Sequence, residues 1–122
     1  MEKSLSSQSF NKREVGNKGE EKAVKFLESI NYQILVRNFY SRYGEIDIIA
    51  QDKSTIVFIE VKYRRSGNYG KGAEAISKKK ISAIIKTAKF YLMSEDIDCR
   101  FDVISIDENQ INHIISAFDY CD

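Results

Sequence analysis

The sequence predicts an α/β domain with the element order α-β-β-β-α-β-β. Three observations carry this. Apolar residues recur at helical spacing before Ile30 and again after Ser77, three β-rich runs lie close together between them, and a last pair of β-rich runs closes the chain. With 122 residues, the chain has the length of one core rather than two.

The first helix is expected over residues 13–30, because Ala23, Phe26, Leu27 and Ile30 form one apolar stripe. Asn31 suits the left-handed position that ends a helix. Residues 1–12, polar and Ser-rich, read as a flexible tail, which leaves 13–119 as a single domain. Strands follow at 32–39, 44–51 and 55–63. Their connections, Tyr40-Ser41-Arg42-Tyr43 and Asp52-Lys53-Ser54, are short enough for antiparallel hairpins. The third strand is apolar on both faces through Ile59, as a central strand covered on both sides should be. Residues 66–72 hold three glycines and read as a loop. Ser77 is placed to cap a helix running to residue 94, with Ile81, Ile84, Ile85, Ala88 and Leu92 on its buried side. Strands at 99–106 and 111–118 complete the order.

Composition narrows the class of protein. Hydrophobic residues make up 43% and charged residues 30%, which suits a soluble globular domain. The longest fully apolar run, Ile56-Val57-Phe58-Ile59, is far short of the roughly 20 residues of a membrane span. With no apolar stretch at the start, no secretory signal is expected and the setting reads as cytoplasmic. Cys99 and Cys121 form no CxxC pair, read as reduced thiols, and cannot build a metal site alone. The net charge of +1 hides a polarised chain. Residues 62–89 carry nine bases and one acid, whereas residues 92–122 carry eight acids and one base. The basic block suits either a solvated lysine-rich helix or a face that meets a polyanion.

Several charges fall where core is expected. On the third strand, Ile56, Phe58, Glu60 and Lys62 share one face, so Glu60 and Lys62 continue an apolar stripe. A charge there is costly unless paired or bound to a metal. Asp47, between Ile46 and Ile48, falls opposite or diagonal to Glu60 if the two strands form a hairpin. Two carboxylates held that close repel each other and invite a divalent cation, and hard oxygen donors favour Mg²⁺ or Mn²⁺ over zinc. Glu20 lies on the buried stripe of the first helix and could supply a third carboxylate, directly or through water. A lysine two residues beyond a ligand can orient a nucleophilic water and stabilise phosphoryl charge. Each feature alone has an ordinary reading: a Glu-x-Lys surface pair, a charge near a turn, an acid at the positive end of a helix. Together the four groups describe metal-assisted hydrolysis of a phosphodiester.

The blocks Gly19-Glu20, Arg37-Asn38, Gly44-Glu45-Ile46-Asp47-Ile48-Ile49-Ala50, Phe58-Ile59-Glu60-Val61-Lys62-Tyr63-Arg64 and Arg100-Phe101-Asp102-Val103 resemble the YraN-like family of bacterial proteins. That family is similar to archaeal Holliday-junction resolvases and falls among the PD-(D/E)XK, restriction-endonuclease-like nucleases. The resemblance implies a restriction-endonuclease-like core, with a mixed central sheet flanked by helices, and a divalent-metal site. By position, Asp47 and Glu60 match metal-binding acids, Lys62 the catalytic lysine and Glu20 the helix-borne acid, with the backbone carbonyl of Val61 completing the ligand set. Ile46 stands where the motif's name puts proline. The implied activity is a Mg²⁺- or Mn²⁺-dependent endonuclease acting on DNA, branched or structured DNA included, that leaves 5′-phosphate and 3′-hydroxyl ends. Resolvases work as dimers on two-fold-symmetric junctions, so the resemblance also allows a homodimer, although no surface in the sequence announces one.

A second group of residues has phosphate-backbone contact as its expected role: Arg64, Arg65, Lys71, Lys78, Lys79 and Lys80. Tyr69 could stack on a base or pack back onto the domain. Arg100 and Asp102 share a face of the fourth strand and are expected to pair, and His113 is given no catalytic role. Two other readings stay open: a non-catalytic nucleic-acid-binding module on a nuclease scaffold, and a protein-interaction adaptor that uses the acidic C-terminal part.

Overall fold

A computed structural model describes residues 10–64, 76–93, 96–108 and 110–118, with side chains from residue 19 onward apart from that of Arg64. The elements are α1 (Phe10–Ser29), β1 (Gln33–Ser41), β2 (Gly44–Asp52), β3 (Thr55–Arg64), α2 (Lys78–Leu92), β4 (Cys99–Asp107) and β5 (Gln110–Phe118). The order α-β-β-β-α-β-β is the expected one.

The five strands form one sheet in the order β1-β2-β3-β4-β5. The β3–β4 pair is parallel and the other three pairs are antiparallel. A parallel pair needs a long crossover, and α2 supplies it between β3 and β4. Each helix covers one face. Ala23, Val24 and Leu27 of α1 pack on Ile48, Ala50, Val57, Ile59, Ile104 and Ile106. Ile84, Ile85, Ala88 and Leu92 of α2 pack on Ile46, Ile49, Ile56, Phe58 and Phe101. β3 feeds both clusters, which explains its unbroken apolar run. Burying each of these large side chains contributes on the order of 1.5–3 kcal/mol.

The helix ends follow the local chemistry. Asn31 adopts φ 72°, with its N–H on the carbonyl of Glu28 at 3.0 Å and the Tyr32 N–H on that of Leu27 at 3.0 Å. This is a Schellman ending, and Tyr32 and Leu27 meet in the α1 core. The Ser77 hydroxyl accepts from the Lys80 N–H at 3.1 Å and caps α2.

Several boundaries differ from expectation. α1 begins at Phe10, so residues 10–12 belong to the helix and only 1–9 of the expected tail lie outside the described residues. Lys12, Arg13 and Glu14 have fair helix propensity but no apolar periodicity to signal it. Ile30 falls beyond the helix end and is 40% exposed rather than buried. α2 stops at Leu92, because Met93 turns left-handed at φ 52° and bonds back to the Lys89 carbonyl. The hairpins are tighter than expected. Ser41 pairs with Gly44 and Asp52 with Thr55, leaving two-residue turns at Arg42-Tyr43 and Lys53-Ser54. No helix among the described residues is long and apolar enough to cross a membrane.

Candidate functional site

The β2–β3 ladder runs from Asp52↔Thr55 to Ile48↔Ile59 and pairs no further. The next residues on the two strands are Asp47 and Glu60. Beyond this point the Asp47 Oδ2 accepts the Val61 N–H at 2.8 Å, so a side chain takes the place that a β2 carbonyl would otherwise fill. The N–H and C=O of one strand residue project from the same edge. The Val61 carbonyl therefore also faces the side on which Asp47 lies.

The strands bend at the same level. Asn38 of β1 is left-handed at φ 56°, between the pairs Arg37↔Ile48 and Phe39↔Ile46. Asparagine tolerates that conformation better than most residues. The local irregularity lets two successive residues, Arg37 and Asn38, reach toward α1. On β2, Ile46 packs with the α2 core while Ile48 packs with the α1 core. Strict alternation would put both on one face, so face parity switches across Asp47.

α1 brings in Glu20. The preceding residue, Gly19, lies so close to β3 that an added Cβ would sit 3.0 Å from the Tyr63 Cβ. A residue with a side chain here would need helix or strand to give by a few tenths of an ångström. Glu20 then receives a hydrogen bond from Asn38 Nδ2 at 3.2 Å and faces Arg37 Nη2 at 3.8 Å. Burial raises its pKa, while Asn38 and Arg37 pull it back down.

Electrostatics concentrate on the pair. Burial, reinforced by repulsion from Glu60, pushes the Asp47 carboxyl up to about 7; the Val61 N–H opposes this, and Glu20 and Glu45 add to it. Glu60 is only 6% exposed. Burial raises its pKa too, against the pull of Lys80 and, next, of Lys62. The direct partner of Glu60 is Lys80, whose Nζ lies 3.5 Å from Oε2. Lys62 shares the face, half-buried, and acts on Glu60 without bridging it.

The expected site residues therefore gather unevenly. Asp47, Glu60, Val61 and Lys62 lie together where β2 and β3 part. Glu20 is within electrostatic range of Asp47 but is held by Asn38 and Arg37. Among the described residues, no three acid, histidine or cysteine side chains converge closely enough to enclose an ion. The donor set that does meet is one of hard oxygens: two carboxylates whose proton affinity burial raises, with Glu60 raising that of Asp47 further, and a strand-edge carbonyl. That chemistry fits Mg²⁺ or Mn²⁺ with water filling the remaining positions. Lys78 and Lys79 lie exposed on the first turn of α2. Arg65, Tyr69 and Lys71 lie outside the described residues, as does the Arg64 side chain.

Two residues were missed in the sequence. Glu45 raises the pKa values of Glu20, Asp47 and Glu60. Its signal was the two-residue spacing Glu45-x-Asp47, the same spacing that linked Glu60 to Lys62. Lys80 was assigned to phosphate contact, yet it faces Glu60; the Ser77 cap fixes its turn of the helix, but sequence gives no clue to which way that turn points.

A second polar cluster lies on the α1 side of β4. Arg100 grips Asp102 with Nε and Nη2 at 3.0 and 3.1 Å and reaches Asp52 at 3.3 Å as well as the Tyr32 hydroxyl. Asp102, 1% exposed, also accepts from the Ser116 N–H at 3.0 Å and meets His113 Nε2 at 2.8 Å. This is the expected Arg100–Asp102 pairing, enlarged by His113 into a network that ties β4 to β5.

The fold and these side chains define a three-layered α/β protein with acids gathered where the pairing of β2 and β3 ends. The chain belongs to the family described as uncharacterised protein family UPF0102, matched over residues 19–106, which is the YraN family that the sequence resembles. It is 54% identical over 107 residues to a UPF0102 protein of Persephonella marina, covering 85% of this chain and 92% of that one. It is 48% identical over 112 residues to a UPF0102 protein of a Sulfurihydrogenibium species, covering 89% and 97%. A Fusobacterium nucleatum UPF0102 protein is 46% identical over 99 residues, covering 79% and 83%.

Proposed function

We propose that this protein is a divalent-metal-dependent nuclease that hydrolyses phosphodiester bonds in DNA, with branched or structured DNA as the favoured substrate class. One observation carries the reading: half-buried Asp47 and buried Glu60 follow the last pair of a strand ladder, burial raises the proton affinity of both, and Glu60 raises that of Asp47 further. Such an arrangement is costly to the fold without a cation. Asp47, Glu60 and the Val61 carbonyl would hold Mg²⁺ or Mn²⁺, with Glu20 as an outer acid held ready by Asn38 and Arg37. When bound, the ion would supply Lewis-acid polarisation of the scissile phosphate and acidify water. Lys62 would orient the attacking water and steady the charge that develops on the phosphoryl oxygens. Lys78 and Lys79, on the positive end of α2, would hold the flanking phosphate backbone and confer salt dependence without sequence preference. With DNA as substrate, the working compartment is the cytoplasm, and a two-fold-symmetric junction would engage a homodimer.

The test is a titration of Mg²⁺ and Mn²⁺ against labelled linear, flapped and four-way DNA, with the oligomeric state on the junction measured alongside. Cleavage should need the ion and fall about 10²–10³-fold in Lys62→Met, with a loss at least as large in Glu60→Gln. Cleavage that persists unchanged in both variants removes the assignment. The Lys80–Glu60 ion pair favours a rival reading, in which the scaffold binds nucleic acid without cutting it. That rival gives salt-sensitive binding and no turnover with either ion.

A further inference from the structure

Lys80 is the group for which the metal-site reading gives no account. Glu60 is buried, and a buried carboxylate needs a counter-charge. Its ion-pair partner here is not Lys62, two residues along the same strand face and acting only through its field, but an ammonium from the facing helix, 3.5 Å away. We infer that the Lys80 ammonium holds the place at Glu60 that a divalent ion takes on binding, and that the ion releases Lys80 to the phosphate backbone of the nucleic acid. The inference rests on the metal-site reading and adds a residue and an order of events to it.

Three features support an exchangeable placeholder rather than a fixed strut. The pair is long for a charge-assisted hydrogen bond, which runs about 2.7–2.9 Å. The Lys80 side chain is 45% exposed while that of Glu60 is 7%, so one partner can leave into water and the other cannot. A doubly charged ion attracts the same carboxylate more strongly than an ammonium does at equal distance. Lys80 also stands where release has a use. The Ser77 cap sets it on the first turn of α2 beside Lys78 and Lys79, with no acid in that turn. Three ammoniums at the positive end of a helix repel one another and the helix dipole, and an anionic ligand relieves that strain. A lysine is a point charge on a flexible four-carbon stem, suited to moving between two anions.

The experiment measures Mn²⁺ binding by calorimetry on the full chain stripped of metal. Lys86→Met removes one charge from an exposed position on the same helix and controls for the general effect of net charge. Lys80→Met should bind Mn²⁺ about 3- to 10-fold more tightly than wild type, and Lys86→Met should stay within about 2-fold. Glu60→Gln should weaken binding at least about 10-fold. A second readout needs no metal. In chelator, Glu60→Gln frees Lys80, so the log–log salt slope for binding duplex DNA should steepen by about 0.9, and adding Lys80→Met should cancel that change. Lys80→Gln repeats both measurements in case the methionine variant folds poorly. If Lys80→Met and Lys80→Gln bind no more tightly than Lys86→Met while Glu60→Gln loses the ion, the placeholder is refuted and the metal site stands. If neither wild type nor any Lys80 variant binds Mn²⁺, the metal site itself is refuted and the placeholder falls with it.

Discussion

Two aspartates in this small domain, one buried and one half-buried, lose solvent with opposite consequences. Asp102 sits among donors: burial pushes its carboxyl up, but hydrogen bonds from His113, Arg100 and the Ser116 N–H outweigh this and leave it below the usual carboxylate value. Asp47 has one backbone donor and three neighbouring acids, and burial with repulsion pushes it up to about 7. The folded state therefore binds the Asp47 proton more tightly than the unfolded chain, whose value is about 3.9. Between pH 4 and 7 the native protein holds the proton and the unfolded chain does not, so stability falls as pH rises through that window. Above it, the ionised Asp47 costs the metal-free fold on the order of 2–4 kcal/mol. Asp47→Asn keeps an oxygen that can accept the Val61 N–H and removes the charge. The variant should be more stable than wild type by roughly that amount at pH 8 and nearly equal to it at pH 4.5. Urea midpoints at the two pH values check this, and equal midpoints at pH 8 would mean that Asp47 is not strained.

At the scale of elements, the site depends on how closely α1 approaches β3. Gly19 makes that contact possible, since an added Cβ would lie 3.0 Å from both the Cβ and Cδ1 of Tyr63. The Tyr63 Cβ is fixed to its strand, so relief needs a relative shift of helix and strand by a few tenths of an ångström. Gly19→Ala gains about 1 kcal/mol in helix propensity. Overpacking costs typically 1–3 kcal/mol, so the variant should be neutral to about 2 kcal/mol less stable, with Glu20 drawn away from Asn38. A denaturant midpoint well above wild type would show that the contact is looser than the geometry requires. The same scale separates what the sequence made legible from what it hid. The α1 and α2 stripes, the Ser77 cap, the Asn31 ending and the central place of β3 all follow from periodicity and capping chemistry. The juxtaposition of Asp47 and Glu60 follows from the hairpin. Hidden were the left-handed Asn38 and the parity switch across Asp47, because alternation assumes an unbroken ladder and a single irregular residue re-aims its neighbours. Glu20 was legible as a residue of the buried stripe, whereas its Asn38 and Arg37 partners depend on that irregularity. The tight turn at Arg42-Tyr43 was masked by polar flanks that read as loop although they pair as strand; Gly44, at φ +152° with Ala83 3.2 Å from its would-be Cβ, marks where β2 begins under α2.

For the whole molecule, the two aspartates set opposite limbs of one stability profile. Asp102 contributes stability that is present above its unfolded value of about 3.9 and lost as pH falls through its lower folded value. Asp47 removes stability as pH rises from about 4 toward 7. For these two groups alone, the metal-free fold is most stable near pH 4–5, on the acid side of the range in which proteins are usually most stable. A divalent ion held at Asp47 and Glu60, as proposed, would compete with the Asp47 proton, so it should bind weakly at pH 5 and strongly at pH 8. An ion that binds only the folded state would stabilise it by RT ln(1 + [L]/Kd), about 2.7 kcal/mol at a hundredfold excess over Kd. Millimolar Mn²⁺ should therefore raise Tm by several degrees at pH 8 and by little at pH 5, flattening the alkaline limb and leaving the acid limb unchanged. Asp47→Asn should flatten that limb without metal and gain little from Mn²⁺. Thermal scans of both proteins at the two pH values, with and without the ion, decide the matter: an equal Mn²⁺ effect at pH 5 and pH 8 would place the ion somewhere other than Asp47.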